Sequence, residues 1–156
     1  MKVTLLVIGK TTDPRVEGLV EEYRKWLSHS LPTEIRVIPE FKNTKNLSEE
    51  EQKKKEGLLL LDALLPSDYV VLLDEHGREY RSIEFAQKVN SWQLAGQNLV
   101  FVVGGPYGFS GAVYERANEK VSISKMTFSH QMIRLLFVEQ LYRAMTILGG
   151  EPYHHE

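Results

Sequence analysis

Val100-Phe-Val-Val-Gly-Gly-Pro-Tyr-Gly108 is the stretch on which the fold turns. With Leu99 it opens on an unbroken apolar run of strand length. Such a run reads as a strand covered on both faces, the habit of a parallel sheet, rather than as an alternating half-exposed strand. The run stops at Gly104-Gly105, where no Cβ keeps the backbone from a close neighbour. Twenty residues on, an expected strand at 121–124 stops at Lys125-Met126-Thr127, bringing a charge, a soft side chain and a hydroxyl to the same edge. In open α/β sheets ligands sit outside the carboxyl ends of the strands. The two strand ends therefore read as parts of one ligand site.

Outward from there, strands and helices alternate. Val3–Ile8 is a second apolar run, ending at Gly9. Asp13-Pro14 reads as an N-cap followed by proline at the first helical position, and apolar residues at helical spacing carry that helix to about Ser28. A short strand is expected at 35–39, then a polar, basic and mobile loop at 41–47. Ser48-Glu-Glu-Glu51 is a capping-box signature opening a helix to about Leu65. Its charged first half, Glu49 to Glu56, reads as solvated and its leucine-rich second half as core. Residues 69–73 form the third strand, followed by a loop at Asp74-Glu-His-Gly77. Ser82 caps a helix to about Leu94, which Gly96 ends. A short helix at 110–118 and a long one at 130–148 complete the order. Alternation of this kind predicts an α/β fold, a mostly parallel sheet with helices on both faces, in a single domain.

Composition narrows the function. Of 156 residues 42% are hydrophobic and 26% charged, as in ordinary globular chains. The net charge is -2, so no large basic face is available for non-specific nucleic-acid binding, and DNA is not expected as a partner. An RNA partner would be met by a local patch or by shape on a large assembly. The absence of cysteine excludes disulfides and thiolate sites and fits a reducing, cytoplasmic setting. The N-terminal apolar run is too short for a signal peptide, and no stretch reaches 18 uncharged apolar residues, so no membrane partner is expected.

The motifs narrow it further. Gly104-Gly-Pro-Tyr-Gly108 is neither G-x-G-x-x-G nor a P-loop, which disfavours a phosphate cradle. It reads either as a tight turn or as a backbone wall against a flat or bent adenosine-like ligand, with Gly104, Gly105 and Gly108 as its parts. The loops after 103, 124 and 73 would converge. The five histidines form no H-x-x-x-H or H-E-x-x-H pattern, and there is no G-x-S-x-G elbow, so neither a metal site nor a serine hydrolase is expected. The last helix is apolar over more than one face, as a core helix or one that also meets another subunit would be. Arg134, Glu139 and Arg143 interrupt it, and Arg134 and Glu139 lack the i, i+4 spacing of a helix pair. Beyond a Gly149-Gly150 hinge, Glu151-Pro-Tyr-His-His-Glu156 is either a solvated end or a tail folded into a site.

Taken together, Val103-Gly-Gly-Pro-Tyr-Gly108, Ser124-Lys-Met-Thr-Phe-Ser-His-Gln-Met132, Glu139-Gln-Leu-Tyr-Arg-Ala144 and Pro152-Tyr-His154 resemble the ribosomal RNA large subunit methyltransferase H family, within the SPOUT methyltransferases. Met1 to Lys10 and Lys55-Glu-Gly57 agree, so the resemblance spans the chain. It implies a C-terminal trefoil knot over roughly 70–156, which periodicity could not reveal because threaded chains are rare. It also implies a homodimer, S-adenosylmethionine as donor without a metal, and methylation at N3 of a pseudouridine in 23S ribosomal RNA within the assembled 70S ribosome. Donor positions carry over to Leu73, Gly104, Ile123, Ser124, Lys125, Met126, Thr127 and Phe128. His130, Arg143, Tyr153 and His154 match residues expected near the RNA base. Relatives often carry Arg or Lys at the position of His155, which is mostly uncharged at neutral pH and a poorer phosphate contact. In the expected chemistry Arg143 stabilises an anionic base, His154 or His130 takes or relays its proton, and Tyr153 stacks on or hydrogen-bonds to it. The competing readings are a non-catalytic RNA- or nucleotide-binding dimeric module and a purely structural dimer.

Overall fold

The computed structural model describes residues 1–42 and 44–155; Asn43 of the expected 41–47 loop and Glu156 of the tail lie outside the described residues. Five strands form one sheet: β1 (Val3–Ile8), β2 (Thr33–Ile38), β3 (Tyr69–Glu79), β4 (Leu99–Val103) and β5 (Glu119–Ser122). Their order is β2-β1-β4-β3-β5, and every pairing between them is parallel. Helices α1 (Pro14–Leu27), α2 (Glu49–Asp62), α3 (Ser82–Ala95), α4 (Gly111–Arg116) and α5 (Met132–Leu148) connect and follow them. The expected alternation and the parallel sheet are both present.

The strand pleat sorts the core into two layers. Val3, Leu5, Val7, Phe101 and Val103 face α1, α3 and α5 through Val20, Phe85, Trp92, Phe137 and Leu141. Leu6, Ile8, Val100 and Val102 face α2 and α4 through Leu60 and Val113. The central strands are thus covered on both sides, which is why Leu99–Val103 is apolar at every position. Phe101 and Phe137 are fully buried, with ring centroids 4.6 Å apart. Each such ring stabilises the fold by about 1.5–3 kcal/mol through burial.

The differences from the expected elements have local causes. Strand β5 runs over 119–122 rather than 121–124, because its polar start is paired rather than exposed. Glu119 opposes Val71 in the ladder and accepts from the Trp92 indole at 2.9 Å and from the Tyr69 hydroxyl, with Lys88 Nζ 2.9 Å away. Arg81, not Ser82, is the N-cap of α3, and its N–H donates to the Glu84 carboxylate at 2.8 Å. The 41–47 segment contains a 3-10 turn at Thr44–Asn46. Within the charged half of α2, Glu56 is buried rather than solvated.

Strand β3 departs most. It does not end at Leu73 but continues to Glu79 through a bulge: Leu73 and Arg78 both align with Val121 of β5. The intervening residues are thrown out of the ladder. Gly77 sits where the returning strand crosses β5; a Cβ there would stand 2.7 Å from the Lys120 carbonyl carbon and the Val121 nitrogen. Both are backbone atoms, so the ladder itself would have to open. Gly77→Ala is expected to lower stability by about 2–3 kcal/mol, an overpacking cost. Urea unfolding measures it, and an unchanged midpoint would mean that the bulge does not need this close approach.

Candidate active site

The bulge, the glycine loop and the segment after β5 enclose a cavity of about 610 Å³ at the carboxyl edge of the sheet. Its size is that of a small-ligand site. Nine of the ten positions expected to hold a donor line it: Leu73, Gly104, Gly105, Gly108, Ile123, Ser124, Met126, Thr127 and Phe128. Lys125 does not. Its side chain is 86% exposed and its Nζ lies 3.8 Å from Glu79, outside the cavity.

Short hydrogen bonds hold the cavity walls. The Ser122 hydroxyl donates to the Ser124 carbonyl at 2.8 Å, and the Ser124 hydroxyl accepts the Met126 N–H at 3.0 Å. The Thr127 hydroxyl donates to the Glu75 carboxylate at 3.1 Å, tying the loop after β5 to the β3 bulge. Tyr114 on α4 donates to Asp74 at 2.6 Å. Burial first, then that bond to Asp74, raise the Tyr114 phenol, so it remains a donor. One wall is bare backbone: a Cβ on Gly104 would meet the Phe109 ring at 3.2 Å, and one on Gly105 would meet the Glu56 carboxylate.

These features suit S-adenosylmethionine. A side-chain-free wall and the apolar Leu73, Ile123 and Phe128 match a nucleoside. Asp74 and Glu75 on the lining put negative charge beside a ligand that carries a sulfonium and an ammonium. Among the described residues no group of three or more His, Asp or Glu side chains could hold a metal ion.

His130 also lines the cavity. Burial first, then the charge of Arg134, hold its imidazole below the ordinary histidine range, with Glu40 acting the other way. It is therefore neutral at physiological pH and able to accept a proton. Arg134 is 1% exposed and positions this region. Its guanidinium donates to the carbonyls of Ile8 at 2.9 Å, Gly9 at 2.7 Å and His130 at 2.9 Å. The end of β1 is thereby bound to the segment that carries His130, and Gln131 repeats the link by accepting the Thr12 N–H at 2.8 Å. Arg134→Met would strand three carbonyls and is expected to lower stability by about 3 kcal/mol or more, read from denaturant unfolding. A loss below about 1 kcal/mol would show that water replaces the guanidinium.

Arg143, Tyr153 and His154 lie elsewhere. None of them lines the cavity. Ile133, which does, precedes Arg143 by ten residues of α5, about 15 Å along the axis. The tail folds back on the far end of that helix. Arg143 donates to Glu139 at 2.6 Å and to Nδ1 of His154 at 3.1 Å, and its guanidinium stacks 4.9 Å from the Tyr153 ring centroid. Tyr153 donates to Glu139 at 3.1 Å and accepts from Tyr23 of α1 at 3.1 Å. Burial first, then these two contacts, raise the Tyr153 phenol well above its ordinary range, so it serves as a donor and not as a base. Nε of Arg143 and Nε2 of His154 are buried without partners among the described residues. Glu139 and Tyr23 were not singled out as site residues from sequence. The i, i+4 spacing of Glu139 to Arg143 was the available signal for the first; for Tyr23, 130 residues from Tyr153, there was none.

A family model described as "Predicted SPOUT methyltransferase" matches residues 1–154. Curated proteins named ribosomal RNA large subunit methyltransferase H are similar over the whole length of both chains. Those of Phocaeicola vulgatus and Bacteroides thetaiotaomicron are 58% identical to this chain and that of Parabacteroides distasonis 59%, each with 100% of both chains covered.

Proposed function

The chain belongs to the SPOUT methyltransferase family, and on that premise we propose that it transfers a methyl group from S-adenosylmethionine to N3 of a pseudouridine in 23S ribosomal RNA, acting as a homodimer on assembled 70S ribosomes in the cytoplasm. Its activity at the coarser level is that of a ribosomal RNA methyltransferase. Residues 1–156 are read as one domain, and family membership implies a trefoil knot over roughly 70–156. No helix of the described residues is long and apolar enough to cross a membrane.

The observation that carries the reading is the cavity that gathers nine of the ten expected donor positions. When bound, S-adenosylmethionine supplies a methyl group on a positively charged sulfur. Gly104, Gly105, Ile123 and Phe128 hold it by shape, and Asp74 and Glu75 by charge. His130, neutral at the same cavity, takes the N3 proton of the pyrimidine, directly or by relay from His154. The Arg143 guanidinium stabilises the resulting anion, and the protonated Tyr153 hydrogen-bonds to or stacks on the ring. Alignment of nitrogen and methyl supplies the rest of the barrier lowering, about 7–11 kcal/mol for well-oriented reactants.

Four residues with one task cannot stand about 15 Å apart along α5. A second copy removes the difficulty by bringing its tail cluster to the cavity. Exposed apolar residues on α1, Leu19 and Trp26, offer a face for that copy, and Trp26 reaches the tail through Tyr142, which packs on Tyr153.

The test is methylation of 70S ribosomes, with free 23S rRNA in parallel, followed by mass spectrometry of the nucleosides. Methylpseudouridine carrying the group at N3, formed on 70S, is expected. Methylation at another nucleotide would correct the substrate. Donor binding without any transfer would leave the RNA-binding module as the better account.

A further inference from the structure

Lys53 belongs to a run of three lysines, Lys53-Lys54-Lys55, in the charged first half of α2. Lys54 and Lys55 are exposed, as members of a solvated face are. Lys53 differs from them: its side chain is only 24% exposed. Residues three and four apart share a helix face. Lys53 stands three, four and seven residues before Glu56, Gly57 and Leu60, the buried residues of α2. It therefore extends the inward stripe of the helix by one turn.

That turn reaches the cavity. Glu56 meets the glycine wall from outside it, close enough that a Cβ on Gly105 would stand 2.5 Å from Oε1. Lys53, one turn nearer the helix start, lines the cavity itself, and it is the one described residue of α2 that does. A lysine with a purely structural role would lay its stem along apolar surface and leave its head to water. Here Nζ lies 2.8 Å from Glu50, whose side chain is 70% exposed. A pair so open to solvent contributes little. An ammonium has three N–H donors, so this contact leaves room for a second acceptor.

Charge identifies that acceptor. Among the described residues that line the cavity, Lys53 is the one lysine or arginine, and Asp74 and Glu75 are the acidic residues. The two carboxylates belong to the β3 bulge, where the hydroxyls of Tyr114 and Thr127 hold them. Counting carboxylates and lysine, the lining carries two negative charges and one positive. S-adenosylmethionine carries the reverse: a sulfonium and an ammonium against a single carboxylate. The two sets are complementary, and complementarity of this kind sets specificity.

We propose that Lys53 is a specificity-determining residue that binds the carboxylate of the donor's methionine group, so that the cavity selects a donor with an intact amino-acid end over one that lacks the carboxylate. The inference rests on the reading of the cavity as the S-adenosylmethionine site. The carboxylate takes no part in transfer from sulfur, so Lys53 acts on the affinity and choice of donor.

The experiment is calorimetric titration, without RNA and at pH 7.5, with S-adenosylmethionine and with decarboxylated S-adenosylmethionine, which keeps the sulfonium and the ammonium. Wild type, Lys53→Met and Lys53→Arg are compared. Wild type is expected to prefer S-adenosylmethionine by about tenfold, the change that one charge-assisted hydrogen bond carries. Lys53→Met should lose most of that preference by binding S-adenosylmethionine about tenfold more weakly, while its affinity for the decarboxylated donor stays within about twofold or rises. That second affinity also shows that the variant is folded. Lys53→Arg, which keeps the charge, should keep the preference to within about threefold.

A wild type that does not distinguish the two donors overturns the proposal. So does a Lys53→Met that keeps the wild-type preference. If both of its affinities fall together, the side chain merely fills the wall; if both are unchanged, the ammonium serves another oxyanion, such as an RNA phosphate. Loss of the preference in Lys53→Arg as complete as in Lys53→Met would overturn it as well, since charge would not be what counts. Absence of saturable binding of either donor to wild type is a different failure, that of the donor-site reading itself.

Discussion

Arg143→Ala, and separately removal of residues 151–156, are each expected to reduce methyl transfer by a factor of about 100–1000 or more, the range seen when a group stabilising developing charge is lost. Donor affinity should stay within about twofold, because neither Arg143 nor any described residue of the tail lines the cavity and the helix separates them by about 15 Å. Folding should survive. The Glu139–Arg143 pair is half-buried, with side chains 19% and 25% exposed, and losing its charge-assisted hydrogen bond costs about 1–3 kcal/mol, less than the stability of a domain of this size. Tyr153 loses its packing against the Tyr142 ring, 4.9 Å between centroids, only in the truncation. Turnover by either variant within about tenfold of wild type would remove the tail cluster from the chemistry.

Mixing two dead enzymes is expected to revive activity. Gly104→Leu presses on the Phe109 ring, distorts the wall of the proposed donor cavity and leaves the tail intact; Arg143→Ala leaves the cavity and breaks the tail. In a twofold-symmetric dimer whose sites combine one chain's cavity with the other chain's tail, a heterodimer of these variants has one site with both defects and one with neither. Random re-pairing of equal amounts makes half the dimers mixed, so about a quarter of wild-type activity should return. Sites completed within one chain would give none. The assay needs only the two purified variants, a subunit-exchange step and 70S ribosomes, and a flat zero would place the tail in cis.

Much of this was legible in the residues. Val3–Ile8 and Leu99–Val103 could be read as doubly covered strands because an all-apolar run has no other stable place in a globular chain. Asp13 and Ser48 mark helix starts through a side-chain oxygen that reaches a nearby N–H, a purely local event. The cavity-lining positions after β4 and β5 were legible for a related reason: strand ends and glycines are local signals, and a parallel sheet brings its carboxyl ends to one edge. Elements whose polarity is answered at long range were not legible in the same way. Glu119 and Lys120 look like a loop until Tyr69, Trp92 and Lys88 are seen around them. Glu56 looks solvated in its run of charges, because nothing local says that Gly105 will cover it.

Sequence alone determined the α/β class, the order of elements, the sheet edge that carries the site and, through its motifs, the resemblance to a methyltransferase family. Periodicity and capping act over a few residues, and motif order survives without coordinates. Only the tertiary structure decided that β3 runs on through a bulge to Glu79, that Lys125 leaves the cavity, that Arg134 binds β1 to the segment of His130, and that Arg143, Tyr153 and His154 gather at the far end of α5 rather than at the glycine wall. Each of these depends on contacts between residues remote in the chain. Such contacts are set by how whole elements pack, and no short stretch of sequence contains both partners.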